Sequence, residues 1–226
     1  MRNTKRNAAN VREIRTADIF AAACAAQRIN GGYVKESTRR YNDDESYVDI
    51  VANKIIVRNI INGQIDAVTD DDRVEADAVR SYWRMKMFAV LGGTASSFTT
   101  SCVSAASTDY VLSDDLLSFG IISYMPEGYA KGMVRDQREE QRADAELLSD
   151  HFGAINEKIT GEVRVIDCVY SKNYMCYYVT GTIGRNAVMW SSKNAVDAGK
   201  RFKLVGRVKR HRDNNVTQLN YVKLKA

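Results

Sequence analysis

Apolar residues recur at helical spacing through the first two thirds of this chain and at every second position through the last third. The early run Thr16 to about Gln27 is rich in alanine, and Thr16 can cap it as a helix. A polar stretch with Arg39-Arg40 and Asp43-Asp44-Glu45 follows. Val48, Val51, Ile55, Ile56 and Ile60 then return at intervals of three or four, which predicts a second helix ended by Gly63. Asp70-Asp71-Asp72 opens a third, because carboxylates favour the first turn of a helix. Its apolar stripe is Tyr82, Met85, Phe88 and Leu91, and Gly92-Gly93 stops it. Thr94 to Ser107 suits either a small-residue helix or a loop. Pro126, within Tyr124-Met125-Pro126-Glu127-Gly128, predicts a break, and residues 132–149 form a charged helix or connector.

From Gly161 the alternation predicts strands at Glu162–Tyr170, Tyr174–Ile183, Ala187–Ser192, Arg201–Arg210 and Val216–Leu224. Ser171-Lys172-Asn173, Gly184-Arg185-Asn186 and Asp213-Asn214-Asn215 supply turns. Five strands in about 65 residues, with a longer connection between the third and fourth, match the plan of a small OB-type barrel. In the fourth, Phe202, Leu204, Gly206 and Val208 alternate with Arg201, Lys203, Val205, Arg207 and Lys209. One face is apolar and the other carries four cations, so a one-residue slip would bury charge. The expected fold class is therefore α+β. A basic arm at 1–15 precedes a mostly helical part at 16–157, and a five-stranded OB barrel fills 158–226.

Charge follows the same division. From Lys158 onward 14 Lys and Arg face four carboxylates, a net of +10, whereas the preceding residues carry 19 basic and 24 acidic groups, a net of −5. Such asymmetry points to an anionic partner for the basic part. Four scattered cysteines and two histidines offer no metal-site spacing, so reduced thiols and no metal or cofactor are expected. The Ile19–Ala26 stretch is too short and too late for an export signal, and no apolar run approaches the ~18 residues of a membrane span. A cytoplasmic, non-enzymatic protein is the expectation. Asp43-Asp44-Glu45, Asp70-Asp71-Asp72 and Asp114-Asp115 sit where loops and helix starts favour carboxylates. Gly92-Gly93-Thr94 lacks the lysine of a phosphate-binding loop.

Gly199–Lys223, reading G-K-R-F-K-L-V-G-R-V-K and then T-Q-L-N-Y-V-K after a polar turn, resembles the last two strands of OB modules in bacteriophage replication and DNA-metabolism proteins. Tyr177–Thr180 and Trp190–Lys193 fit the same pattern. The resemblance spans the last 65 or so residues and implies a phage replication or recombination accessory. Its partner would be single-stranded DNA (or RNA), and the helical part would serve self-association or contact with another replication or recombination protein.

Single strands require cations along the backbone path and flat side chains for the bases, which OB folds place on strands 2 and 3 and in the 1–2 and 4–5 loops. Lys172 and Tyr174 fall in the first loop and Lys209, Arg210 and Arg212 in the second. Lys193 opens the strand 3–4 connection, and Lys203 and Arg207 lie on the cationic face of strand 4. Tyr178 shares a face with Thr180 and Thr182 and is expected outside, while Tyr177 pairs with Val179 and is expected inside. Trp190 shares a face with Val188, and both stacking and packing remain open for it. A barrel docking its basic face on an acidic protein surface is the alternative reading.

Overall fold

The computed structural model describes residues 11–41, 43 and 46–225. Most of the basic arm (Arg2, Lys5, Arg6) and Asp44 and Glu45 lie outside the described residues. The chain forms two compact units, 1–132 and 133–226.

The first unit is built around α1 (Thr16–Asn30), whose residues Ile19 to Ala26 are all buried. Consecutive alanines leave no bulky side, so neighbouring helices approach from several directions and the helix becomes a core element. Thr16 is the first helical residue rather than the cap. Arg15 holds the cap position without a side-chain capping bond, and the Thr16 amide donates to the Asp109 carbonyl instead. A short strand β1 (Glu13–Arg15) precedes α1. Val48 does not join the second helix. β2 (Thr38–Tyr41) and β3 (Tyr47–Ile50) form an antiparallel hairpin, and α2 (Asn53–Ile61) begins after it. Asn53 is buried and fixes this junction, accepting from the Asn30 side chain (2.7 Å) and the Val34 amide (2.9 Å).

α3 (Asp70–Met85) starts at the acidic triplet. Thr69 caps it, and Asp72 returns the bond to the Thr69 amide (2.8 Å), a full capping box. The expected stripe fails at Lys86, where the chain leaves α3 for α4 (Met87–Leu91). Tyr82 and Trp83 are buried, but Met85, Phe88 and Leu91 face solvent. The small-residue segment is a helix, α5 (Ser97–Ser107), capped by Ser96 and burying Cys102, Val103, Ala105 and Ala106. β4 (Tyr110–Leu112) then pairs with β1.

Pro126 does not break the chain. It lies inside α6 (Leu116–Leu148), and an interior proline costs a helix ~3 kcal/mol. Burial supplies the offset here: Ile122, Ser123 and Met125 are enclosed, and the Trp83 indole donates to the Met125 carbonyl at 3.1 Å. Gly128 allows that approach, since a Cβ there would sit 2.7 Å from the Trp83 ring, and Gly132 would crowd the Tyr82 hydroxyl still more closely.

In the second unit β5 (Lys158–Ser171), β6 (Cys176–Ile183), β7 (Asn186–Ser192), β8 (Arg201–His211) and β9 (Thr217–Lys225) close into a mixed barrel. The order around it is β5-β6-β7-β9-β8. All pairs are antiparallel except β7 with β9. Alternation places Val163, Val165, Val179, Val188, Trp190, Leu204, Val208 and Leu219 inside. A bulge between Val165 and Asp167 turns Ile166 toward Ala187 and Val216, and Ala145 of α6 covers these three with Met189 at their edge. Ser149 secures the cover, accepting from the Ala187 amide and donating to the Asn215 carbonyl, both at 2.8 Å. Arg138 stands 3.7 Å from Asp167.

Candidate nucleic-acid interface

The barrel's register sorts the expected site residues into separate groups. β5 runs from Lys158 to the turn at 172–175, and β8 descends alongside it toward the turn at 212–215. The two loops therefore lie at opposite ends of the barrel.

At the first end, Lys172 and Tyr174 are exposed in the β5–β6 turn. The Tyr174 ring meets Tyr178 edge to face, 6.2 Å between centroids. Tyr178 is half-buried on the outer face, opposite Val169 on one side and Ser191 on the other. Tyr177 points the other way, packs against the core and tilts onto Tyr170 at 5.0 Å. Trp190 is 2 % exposed and paired with Val179 in the barrel interior, so it packs and offers no platform for a base. Its period with Val188 decided the matter, because both alternate inward. Lys193 is exposed just after β7.

At the opposite end, Arg210 bonds the Gln218 side chain (2.7 Å), and an Arg212 guanidinium nitrogen lies 2.9 Å from the Met189 sulfur. His151 and His211 stack there at 4.3 Å. Arg212 thus leans over the β6–β7 face, which α6 already covers at Ala187 and Met189. The outer face of the second and third barrel strands is not the open surface that the sequence suggested.

The open cationic surface lies on β5, β8 and β9. Lys203, Arg207 and Lys209 are exposed along β8. Register adds residues that strand periodicity alone missed: Lys158 stands directly opposite Arg207, Arg164 opposite Arg201, and Lys225 opposite Lys203. Three cross-strand pairs of like charge occupy one face, and Glu162, bonded to Arg201 at 3.0 Å and directly opposite Lys203, is the carboxylate set among them. Like charges directly opposite one another destabilise a sheet. The arrangement carries a standing repulsion that a polyanion laid across it would relieve. The repulsion between these rows could be found only by knowing which strands pair.

Among the described residues no group of three or more His, Cys, Asp or Glu is placed to hold a metal, and no helix is long and apolar enough to cross a membrane. Compared with known proteins, the chain matches no family model, no curated protein and no solved structure.

Proposed function

We propose that the chain binds single-stranded nucleic acid, DNA in the first instance, without catalysing a reaction on it. The observation that carries this reading is the set of like-charged cross-strand pairs Lys158/Arg207, Arg164/Arg201 and Lys203/Lys225 on one exposed barrel face. Phosphates would run over that face, and the Tyr174–Tyr178 pair beside Lys172 and Lys193 would give bases a stacking surface at one end. The strand order, with the third strand parallel to the fifth, supports reading the barrel as an OB fold. Phosphate neutralisation implies steep salt dependence and little sequence preference. A role as a phage replication or recombination accessory, acting in the cytoplasm with the helical unit mediating self-association or a protein contact, is consistent with this reading.

One observation favours the alternative of a protein-docking adaptor. OB folds usually hold strands on the second and third barrel strands, and α6 occupies part of that surface here.

The test is fluorescence anisotropy of a labelled mixed-sequence strand of about 30 nucleotides, enough for at least one OB-sized site of ~4–16 nucleotides. Titration at low and high salt, with duplex competitor, should give tight binding that prefers single strands and weakens steeply with salt. Absence of binding at low salt rejects the reading and leaves the adaptor.

A further inference from the structure

The barrel is closed in order but not along its whole length. Pairing between β7 and β9 is confined to Val188 with Thr217 and Met189 with Gln218. Beyond these the two strands part: Trp190–Ser192 keep only β6 as a strand partner, and the end of β9 keeps only β8. A cleft of about 580 Å³ opens between them, within the ~300–1,000 Å³ span of small-ligand sites. Trp190, Val196, Phe202, Val222 and Leu224 give it an apolar floor, Ser192, Asn194 and Asp197 a polar wall, and Lys193 stands at its rim.

Tyr221 also lines this cleft, in a backbone conformation that disfavours a residue with a side chain. It occupies a bulge where the β8–β9 register slips between Val205 and Arg207, its φ is 52°, and it is 80 % exposed. A left-handed backbone costs a residue with a Cβ ~1–2 kcal/mol, and an exposed ring recovers little of that through packing. Bulges commonly re-aim a side chain, and this one sets a tyrosine ring at the lip of the cleft. Lys223 and Lys225 follow it on the exposed side of β9, and Lys225 is one of the like-charged pair with Lys203.

We propose that this cleft receives one nucleobase from a strand lying across the cationic face, with Tyr221 stacking on the base and Lys193, Lys223 and Lys225 holding the adjoining phosphates. The inference rests on the single-strand reading above. The apolar floor and polar wall suit a flat ring with hydrogen-bonding edges, and the lysines around them favour a polyanion over a neutral ligand. A flat heteroaromatic ring carried on a phosphate chain satisfies both conditions.

The test compares a natural oligonucleotide with one of equal length in which abasic sugars replace the bases, on the full chain and on two variants. Tyr221→Asn removes the ring and keeps a side chain tolerant of φ > 0. Ala195→Trp fills the cleft from an exposed lining position. Thermal melts confirm that both variants fold. The wild type should bind the natural strand about tenfold or more tightly than the abasic one, since stacking is sequence-tolerant and strong. Each variant should lose most of that preference while binding the abasic strand as the wild type does. Variants that keep the wild-type preference overturn the cleft proposal, as does equal binding of both strands by the wild type. The latter is also the result expected if an extended peptide is the true occupant. In either case single-strand binding itself survives. Failure to bind any strand at low salt removes the parent reading and this proposal together.

Discussion

The helical unit and the cationic face of the barrel treat their cations differently. In the helical unit arginines are tied into the fold: Arg28 to Asp72 at 2.8 Å, Arg80 to Asp109 at 2.9 Å, Arg39 to Asp49 at 2.9 Å. Arg80 and Arg84 also donate to the Ala106 carbonyl, and Arg80 to that of Thr108, so they satisfy the C-terminal end of α5. In the barrel, Lys203, Arg207, Lys209, Lys223 and Lys225 have no carboxylate within 4.0 Å among the described residues. Charges that the fold employs are partnered, and charges that the fold does not employ are crowded onto one face and repel. The second pattern lowers stability slightly, and on the proposed reading a bound anion would offset that cost.

The sharpest way to break this contrast is to neutralise each set and ask which property falls. Lys203→Gln, Arg207→Gln and Lys209→Gln combined should weaken single-strand affinity by about a hundredfold at low salt and flatten the salt dependence by about two units of slope, at ~0.7 per phosphate contact. The same variant should unfold within about 0.5 kcal/mol of the wild type, because the repulsion relieved at Lys158/Arg207 and Lys203/Lys225 is set against the lost Arg207–Asn156 bond and the Glu162 that also faces Lys203. Loss of stability without loss of affinity would reverse the assignment.

Asp72 carries the complementary prediction. It is 2 % exposed, and burial raises its pKa, yet the bonds from Arg28 and Thr69 outweigh burial and hold it below its ordinary value of 3.8. A carboxylate depressed in the folded state stabilises above its unfolded pKa, and that contribution disappears as pH falls through the folded value. Asp72→Asn should cost the helical unit about 2 kcal/mol near pH 7, combining the lost capping box and charge-assisted bonds. Urea unfolding at successively lower pH should show the gap between wild type and variant closing only below about pH 4. A gap that persists unchanged into strong acid would show that the carboxylate charge is irrelevant.

The two units also differ in how far their sequences announced them. Alternation along Phe202, Leu204 and Val208 constrains a strand because a slip would bury Arg207 or Lys209, so the barrel's elements were legible residue by residue. Helical spacing constrains less. Val48 keeps step with Ile55 and Ile56 whether it stands in a helix or, as here, in a hairpin with Arg40 opposite. Met85, Phe88 and Leu91 remain in register on paper although the chain turns at Lys86. Pro126 signals a break in the sequence and none forms, because the Trp83 bond and the enclosure around Met125 come from tertiary packing. The candidate site was half legible. Cations and tyrosines could be named from their strands, but the facing of Lys158 with Arg207 and the bulge at Tyr221 depend on which strands pair and where they slip.

The cysteines test the same division without altering either unit's charge or stability. Cys24 and Cys102 are sealed in the helical core, 1 % and 0 % exposed. Burial pushes the Cys102 thiol up to about 12, and at Cys24 burial acts with the carboxylates of Glu75 and Asp72 to raise it further. The reactive species is the thiolate, so neither should react measurably near pH 8 until its unit opens. Cys168 and Cys176 are only half-buried in the barrel, and Cys168 accepts the Val196 amide at 3.3 Å. A thiol reagent applied to the native chain should therefore label Cys176 first, Cys168 more slowly, and the other two only on addition of denaturant. Peptide mapping of the labelled protein over time reads this order directly. Early labelling of Cys24 or Cys102 would mean that the alanine-rich core opens readily, and the paired arginines around it would then not be holding the helical unit as their geometry implies.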